Sequence, residues 1–334
     1  MIDGHGDDIY KYGQQIVSNF SSNIYGKQDL SVLQLHLCSC MNLINSYPEP
    51  DATSLVRLLG ETHSIGYENI CVTNGATEAI YLIAQACQGS NTAIIIPTFS
   101  EYDDACQINK HKLSFYERLE DVDSQVEMIW ICNPNNPNGY VYDIDYLEEM
   151  VNQRSETLFV FDQSYGHFTD KKVWDIKKAS NYKNVILLHS MTKKYSVPGL
   201  RLGYMTAHKE IIKHIEKFRM PWSVNSLAVE AGKFLIQNTE NYLDINNYLG
   251  ETKRLQVALR LIDGLTVYPT DTHFFLCKLK NKTASSLKSW LVENYGILIR
   301  DASNFRGLDK HFFRIATQSP EENNLLVKAI QKWM

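Results

Sequence analysis

From about residue 68 the chain alternates short, continuously apolar runs with segments of helical period. ENICVT (68–73), TAIIIP (92–97), EMIWIC (127–132), TLFVFD (157–162) and NVILLHS (184–190) read as strands. ATEAIYLIAQAC (76–87), FSEYDDACQIN (99–109) and IDYLEEMVNQR (144–154) read as the helices between them. Strands that are apolar at every position suit burial on both faces. Their alternation with helices predicts an α/β domain whose mainly parallel sheet is wrapped on both sides. After about residue 208 the pattern changes. HKEIIKHIEKF and NYLDINNYLGETKRLQVALRLIDG read as helices, LTVYP, HFFLCKL, GILIR and FFRIA as strands, and EENNLLVKAIQKW as a closing helix. This predicts a large domain over 46–230 and a smaller α+β domain over 231–334, with residues 1–45 an arm belonging to the small one.

Composition narrows the function classes. A formal charge of −5 argues against a general nucleic-acid or membrane-surface binder. No apolar run approaches the roughly 18 residues that cross a bilayer. The polar N-terminus, MIDGHGDDIYKYGQQ, lacks the apolar core of a signal peptide, so a cytoplasmic protein is expected. The seven cysteines include no CxxC pair and read as reduced thiols, most of them in or beside apolar segments. Ten histidines without HxxxH or HExxH spacing predict no structural metal.

In a parallel α/β sheet, ligands bind beyond the carboxyl ends of the strands, and five polar clusters fall at that edge. TNGATEA places a turn at Asn74-Gly75 and the free amides of Ala76 and Thr77 at a helix start, an anion site or simply a cap. PTFSEY puts Phe99 just past a strand, as core or as a platform for a flat ring. NPNNPNG makes a turning loop in which Asn136 is free to donate to a ring hydroxyl. FVFDQSY ends an apolar run on Asp162, whose carboxyl needs a cationic partner such as a protonated pyridine nitrogen, with Tyr165 in reach of the same ring. SMTKKYSVPGLRLGY carries Ser190, Thr192 and Arg201 for a phosphate, and Lys193 or Lys194 as an imine-forming amine. Each cluster alone favours its structural reading; together they match the needs of pyridoxal 5′-phosphate.

With these residues in view, the whole chain resembles the fold-type-I, aspartate-aminotransferase-like enzymes. Within them it is most similar to the branch holding histidinol-phosphate aminotransferase and the threonine-phosphate decarboxylase of cobalamin biosynthesis. The Ser-X-Thr-Lys-X-Tyr-X-X-Pro-Gly-Leu-Arg pattern carries the likeness and selects Lys193 over Lys194. The resemblance implies a mainly parallel, seven-stranded-type sheet in the large domain and pyridoxal 5′-phosphate as cofactor. It implies catalytic roles for Lys193, Asp162 and Tyr165. Gly75, Ala76, Thr77, Ser190, Thr192 and Arg201 would hold the cofactor phosphate, and Phe99, Asn136, Asp162 and Tyr165 its ring. Tyr47, in SYPEPD, would reach the phosphate in a partner subunit, so a homodimer is expected.

The segments HGDDIYKY…FSSNIYG, PTFSEY and ILIRDASNFRGL…FFRIA look more like the decarboxylase than the aminotransferase. There His5, Gly6, Asn23, Asn136, Arg300 and Arg314 would contact a phosphorylated amino acid or amine. The expected activity is therefore decarboxylation of L-threonine-O-3-phosphate, with a class I/II aminotransferase as the alternative. Three departures stand out: Asp7 replaces the arm's second glycine, Tyr25-Gly26 replaces Asn-Pro-Leu-Gly, and Gln163 stands where glutamate is usual.

Overall fold

The continuous apolar runs form strands because both of their faces are covered. In the computed structural model, which describes residues 6–26, 28–238 and 243–334, thirteen strands are found among the described residues. After a short β1 (Ser18–Asn19) come β2 (Ile70–Thr73), β3 (Asn91–Ile95), β4 (Lys112–Tyr116), β5 (Met128–Cys132), β6 (Leu158–Asp162), β7 (Val185–Ser190) and β8 (Gly203–Ala207). β2 to β8 make one seven-stranded sheet in the order β2-β8-β7-β6-β5-β3-β4. β8 is antiparallel to both of its neighbours, so the other six strands share one direction and one carboxyl edge.

Alternate residues of a single strand serve two cores. Met128, Trp130 and Cys132 of β5 face a cluster with Ile80, Ile83 and Tyr102, whereas Ile129 and Ile131 face Leu147 and Val151. Burying a large apolar side chain contributes roughly 1.5–3 kcal/mol, and a two-faced sheet collects that at every position.

The second sheet contains β9 (Leu265–Val267), β10 (Phe274–Leu279), β12 (Arg300–Asp301) and β13 (Phe312–Ala316), in the order β12-β13-β10-β9. Between them β11 (Ile297–Leu298) pairs in parallel with β1. GILIR, read from sequence as one strand, thus serves two sheets. The arm also divides: Phe20 is buried with Phe275 and Ile315 of the small sheet, while Leu33 packs with Leu55 and Leu235 on the large one. The expected boundary at 230/231 falls inside the helix Ser226–Asn238, whose Ala228, Ala231 and Leu235 pack with Ile70 and Val72. We propose that the large domain runs through this helix and includes the second half of the arm.

Candidate functional site

The shared carboxyl edge of the large sheet opens on a pocket with about 550 Å3 of space, part of it open to solvent. Ala76, Thr77, Phe99, Asn136, Asp162, Tyr165, Ser190, Thr192, Lys193 and Arg201 line it. They come from five separate segments because β2, β3, β5, β6 and β7 all end there. Asp162, the last residue of β6, is buried. Its Oδ2 accepts from the Tyr102 hydroxyl at 2.7 Å and its Oδ1 from the Ser164 amide at 2.8 Å. Two donors fix the carboxyl group and leave it on the pocket wall. Phe99 meets Tyr102 edge-on, ring centroids 5.8 Å apart.

The anion end is a cradle too tight for side chains. Gly75 opens the helix Gly75–Ala86 at φ +80°, and a Cβ there would lie 2.7 Å from a guanidinium nitrogen of Arg201. A Cβ on Gly203 would lie 2.7 Å from the Ala76 amide nitrogen. Arg201 is itself left-handed, at φ 54°. The Ser190 and Thr192 hydroxyls are 2.7 Å apart, beside free amides at a helix start, which together suit a phosphate. A planar ring bearing a phosphate and a basic nitrogen, as pyridoxal 5′-phosphate does, fits this cradle, the Phe99 face and the Asp162 carboxyl group.

Lys193 stands on the one-turn helix Met191–Lys194 that follows β7. Burial, and secondarily the Arg314 charge, bring its ammonium pKa down to about 8. The free amine is thus accessible near neutral pH. Burial pushes the Tyr165 hydroxyl up to about 12, so it stays protonated. Tyr165 accepts a 3.3 Å hydrogen bond from Asn23.

A second cavity, about 330 Å3 of empty space, shares Phe99 and Asn136 with the first. Gly6, Ser100, Arg300, Asn304, Phe305 and Arg314 complete its walls. Arg300 and Arg314 are register partners across β12 and β13, and both are buried. Arg314 lies in the middle of β13. Its guanidinium donates to Asn136 Oδ1 and, at 2.6 Å, to the Ser21 carbonyl. Arg300 donates to Asn304 Oδ1 at 2.9 Å. Among the described residues neither makes an ion pair. Burial drops both guanidinium pKa values to about 10.

Not every residue singled out from sequence enters these cavities. Tyr47 is 85% exposed, 5.4 Å from the Trp222 ring. His5 lies outside the described residues. Gln163 faces away, donating to the Trp174 carbonyl at 3.4 Å and lining a neighbouring cavity. Asp7 adopts φ 62°, a conformation that glycine takes freely and aspartate tolerates. Tyr25 packs edge-on against Tyr248. Sequence reasoning missed Tyr102 as the support of Asp162, although it lies within PTFSEY. Its place three residues after Phe99 was the available signal. Ser21, Ser100, Asn304 and Phe305 gave no comparable signal. All seven cysteines are free, with Cys71, Cys106, Cys132 and Cys277 buried and Cys38 exposed. No described helix is long and apolar enough to cross a membrane.

The family model for aminotransferase class I and II matches residues 16–330. The solved L-threonine-O-3-phosphate decarboxylase from Porphyromonas gingivalis superposes with a TM-score of 0.93 at 41% identity, covering 95% of this chain and 99% of that one. The threonine-phosphate decarboxylase of Salmonella typhimurium is 28% identical over 330 residues, 94% of this chain and 90% of its own. The histidinol-phosphate aminotransferase of Thermoanaerobacter sp. is 32% identical over 304 residues, 86% of this chain and 84% of its own.

Proposed function

We propose that this chain, which belongs to the aminotransferase class I and II family, is a pyridoxal-phosphate-dependent decarboxylase of L-threonine-O-3-phosphate. The observation that carries the reading is the cross-strand pair Arg300 and Arg314. Like charges directly opposite on a sheet are unfavourable, and buried cations without counter-ions more so. A substrate bearing two anionic groups would relieve both costs. The 41% identity to a decarboxylase of this substrate supports the same choice.

In this reading Arg314 takes the carboxylate, and Arg300 the phosphate alongside Asn23. When bound, the cofactor supplies an electron sink. Asp162 would hold a proton on the ring nitrogen, Tyr165 and Asn136 would hold the ring oxygen, and Phe99 would cover one face. The Cα–carboxylate bond breaks, carbon dioxide leaves, and Lys193 Nζ or a water delivers a proton to Cα, giving 1-aminopropan-2-yl phosphate. We propose further that Tyr47 serves the phosphate site of a second copy. The exposure of Met41, Ile44, Tyr47, Met220 and Trp222 supports a homodimer.

The test is to supply purified enzyme with cofactor and O-phospho-L-threonine and to measure carbon dioxide and the amine phosphate. Equimolar release of both is expected. Amino-group transfer to a 2-oxo acid, with no carbon dioxide, would instead establish the aminotransferase reading.

A further inference from the structure

We propose that Arg306 is a positioning residue that latches segment 301–308 across the mouth of the substrate cavity. The inference rests on the substrate reading above, because that segment carries Asn304 and Phe305 of the cavity wall.

Arg306 reaches from the small sheet's side to the large one. Its Nε and one terminal nitrogen donate to Asp103 Oδ2 at 3.3 and 2.7 Å. The same guanidinium lies 3.9 Å from the centroid of the Phe115 ring on β4. The simpler reading is a surface ion pair, since the Arg306 side chain is 50% exposed and such pairs contribute little. Three features argue for more.

First, the contact lies over a cleft open to solvent. Segment 303–308 forms one wall of that cleft and Phe99, Ser100 and Phe115 the other, around about 730 Å3 of space that includes open solvent. Arg306 spans it by charge and by stacking on a ring, two attractions that reinforce each other on one planar group.

Second, the latch is next to the chemistry at both ends. Arg306 follows Phe305, whose ring lies 5.3 Å from the Arg300 guanidinium. Asp103 follows Tyr102, which holds Asp162. One helical turn therefore supports the Asp162 carboxyl group and anchors a wall of the substrate cavity.

Third, the segment is folded as a compact turn, not as a loose tether. Phe305 N donates to the Ala302 carbonyl and Leu308 N to the Phe305 carbonyl, with Gly307 at φ +87°. Displacing Arg306 would move Asn304 and Phe305 with it.

The experiment combines steady-state kinetics with hydrogen exchange in the cofactor-loaded enzyme. Arg306→Gln should raise KM for O-phospho-L-threonine about three- to tenfold, with kcat within about twofold. Arg306→Lys, which keeps the charge without the planar face, should fall between. Asp103→Asn should have a smaller effect, and the double variant should be no worse than Arg306→Gln alone. Amides of 301–308 should exchange faster in Arg306→Gln before any substrate is added. Unchanged exchange overturns the latch. Faster exchange with an unchanged KM overturns its role in binding. A wild-type enzyme that does not turn over O-phospho-L-threonine defeats the proposed function, and the exchange comparison then decides the latch by itself.

Discussion

The two cavities meet at Phe99 and Asn136 but treat charge in opposite ways. In the cofactor pocket the protein has prepared its own polar groups: Tyr102 and Ser164 donate to Asp162, and Ser190 pairs with Thr192. In the substrate cavity two buried guanidinium groups stand side by side with neutral oxygens as their only described hydrogen-bond partners. The first arrangement is held in place by the protein's own hydrogen bonds before a ligand arrives. The second is incomplete and draws its counter-charge from what it binds. On the proposed function, selectivity for a dianionic substrate would belong to the second cavity, and chemistry to the first.

The contrast can be broken most severely at Lys193. Lys193→Ala should reduce turnover on the order of 10³-fold or more, because both the covalent hold on the cofactor and the proton donor go. Borohydride treatment of the wild type followed by peptide mapping should place the cofactor on Lys193, and a label on Lys194 would refute the assignment. Asp162→Asn comes next, with a loss in kcat of roughly 10²–10³-fold while the fold and much of the cofactor affinity remain. Kinetics within a few-fold of wild type would make Asp162 merely structural.

Changes in the second cavity should act on recognition instead. Arg300→Gln is expected to weaken binding of the phosphorylated substrate by about 2–5 kcal/mol, and to weaken that of L-threonine far less. Equal losses would show that Arg300 does not read the phosphate. A subtler link between the cavities runs through Arg314, whose charge helps to lower the Lys193 pKa to about 8. Cofactor capture by the cofactor-free protein should rise through about pH 8 as the amine loses its proton. In Arg314→Gln the step should move to higher pH, because removing a nearby cation lets the ammonium persist. The smallest effect is expected from Tyr47→Phe, a several-fold faster loss of cofactor from a protein that sediments as a dimer. A fully active monomer would contradict a shared site.

What the sequence made legible follows the same division. β5, β6 and β7 were readable because two-faced burial leaves uninterrupted apolar runs. β4 was not, since an edge strand such as KLSFY is only partly covered and admits lysine and serine. The helix Ser226–Asn238 was also missed, because it packs through Ala228, Ala231 and Gly232. A Cβ on Gly232 would lie 2.7 Å from Leu202, so close approach defines that contact alongside the apolar burial of Val229 and Leu235. The pocket-lining Ser190, Thr192, Lys193 and Arg201 stood out through a local pattern. Tyr102 and Asn304 did not, because their meaning lies in partners that only folding brings near.

The cradle around Gly75 also bears on how the chain reaches its folded form. Gly203 approaches the Ala76 amide because Thr73 and Gly203 are register partners at the end of the β2–β8 ladder. β2 and β8 are joined by the whole of the intervening sheet, so this pairing has one of the longest loops in the domain to close. An anion that binds only where Gly75, Ala76 and Arg201 converge binds only chains that have closed it. Free phosphate or cofactor present during refolding should therefore draw the population toward the completed sheet by mass action.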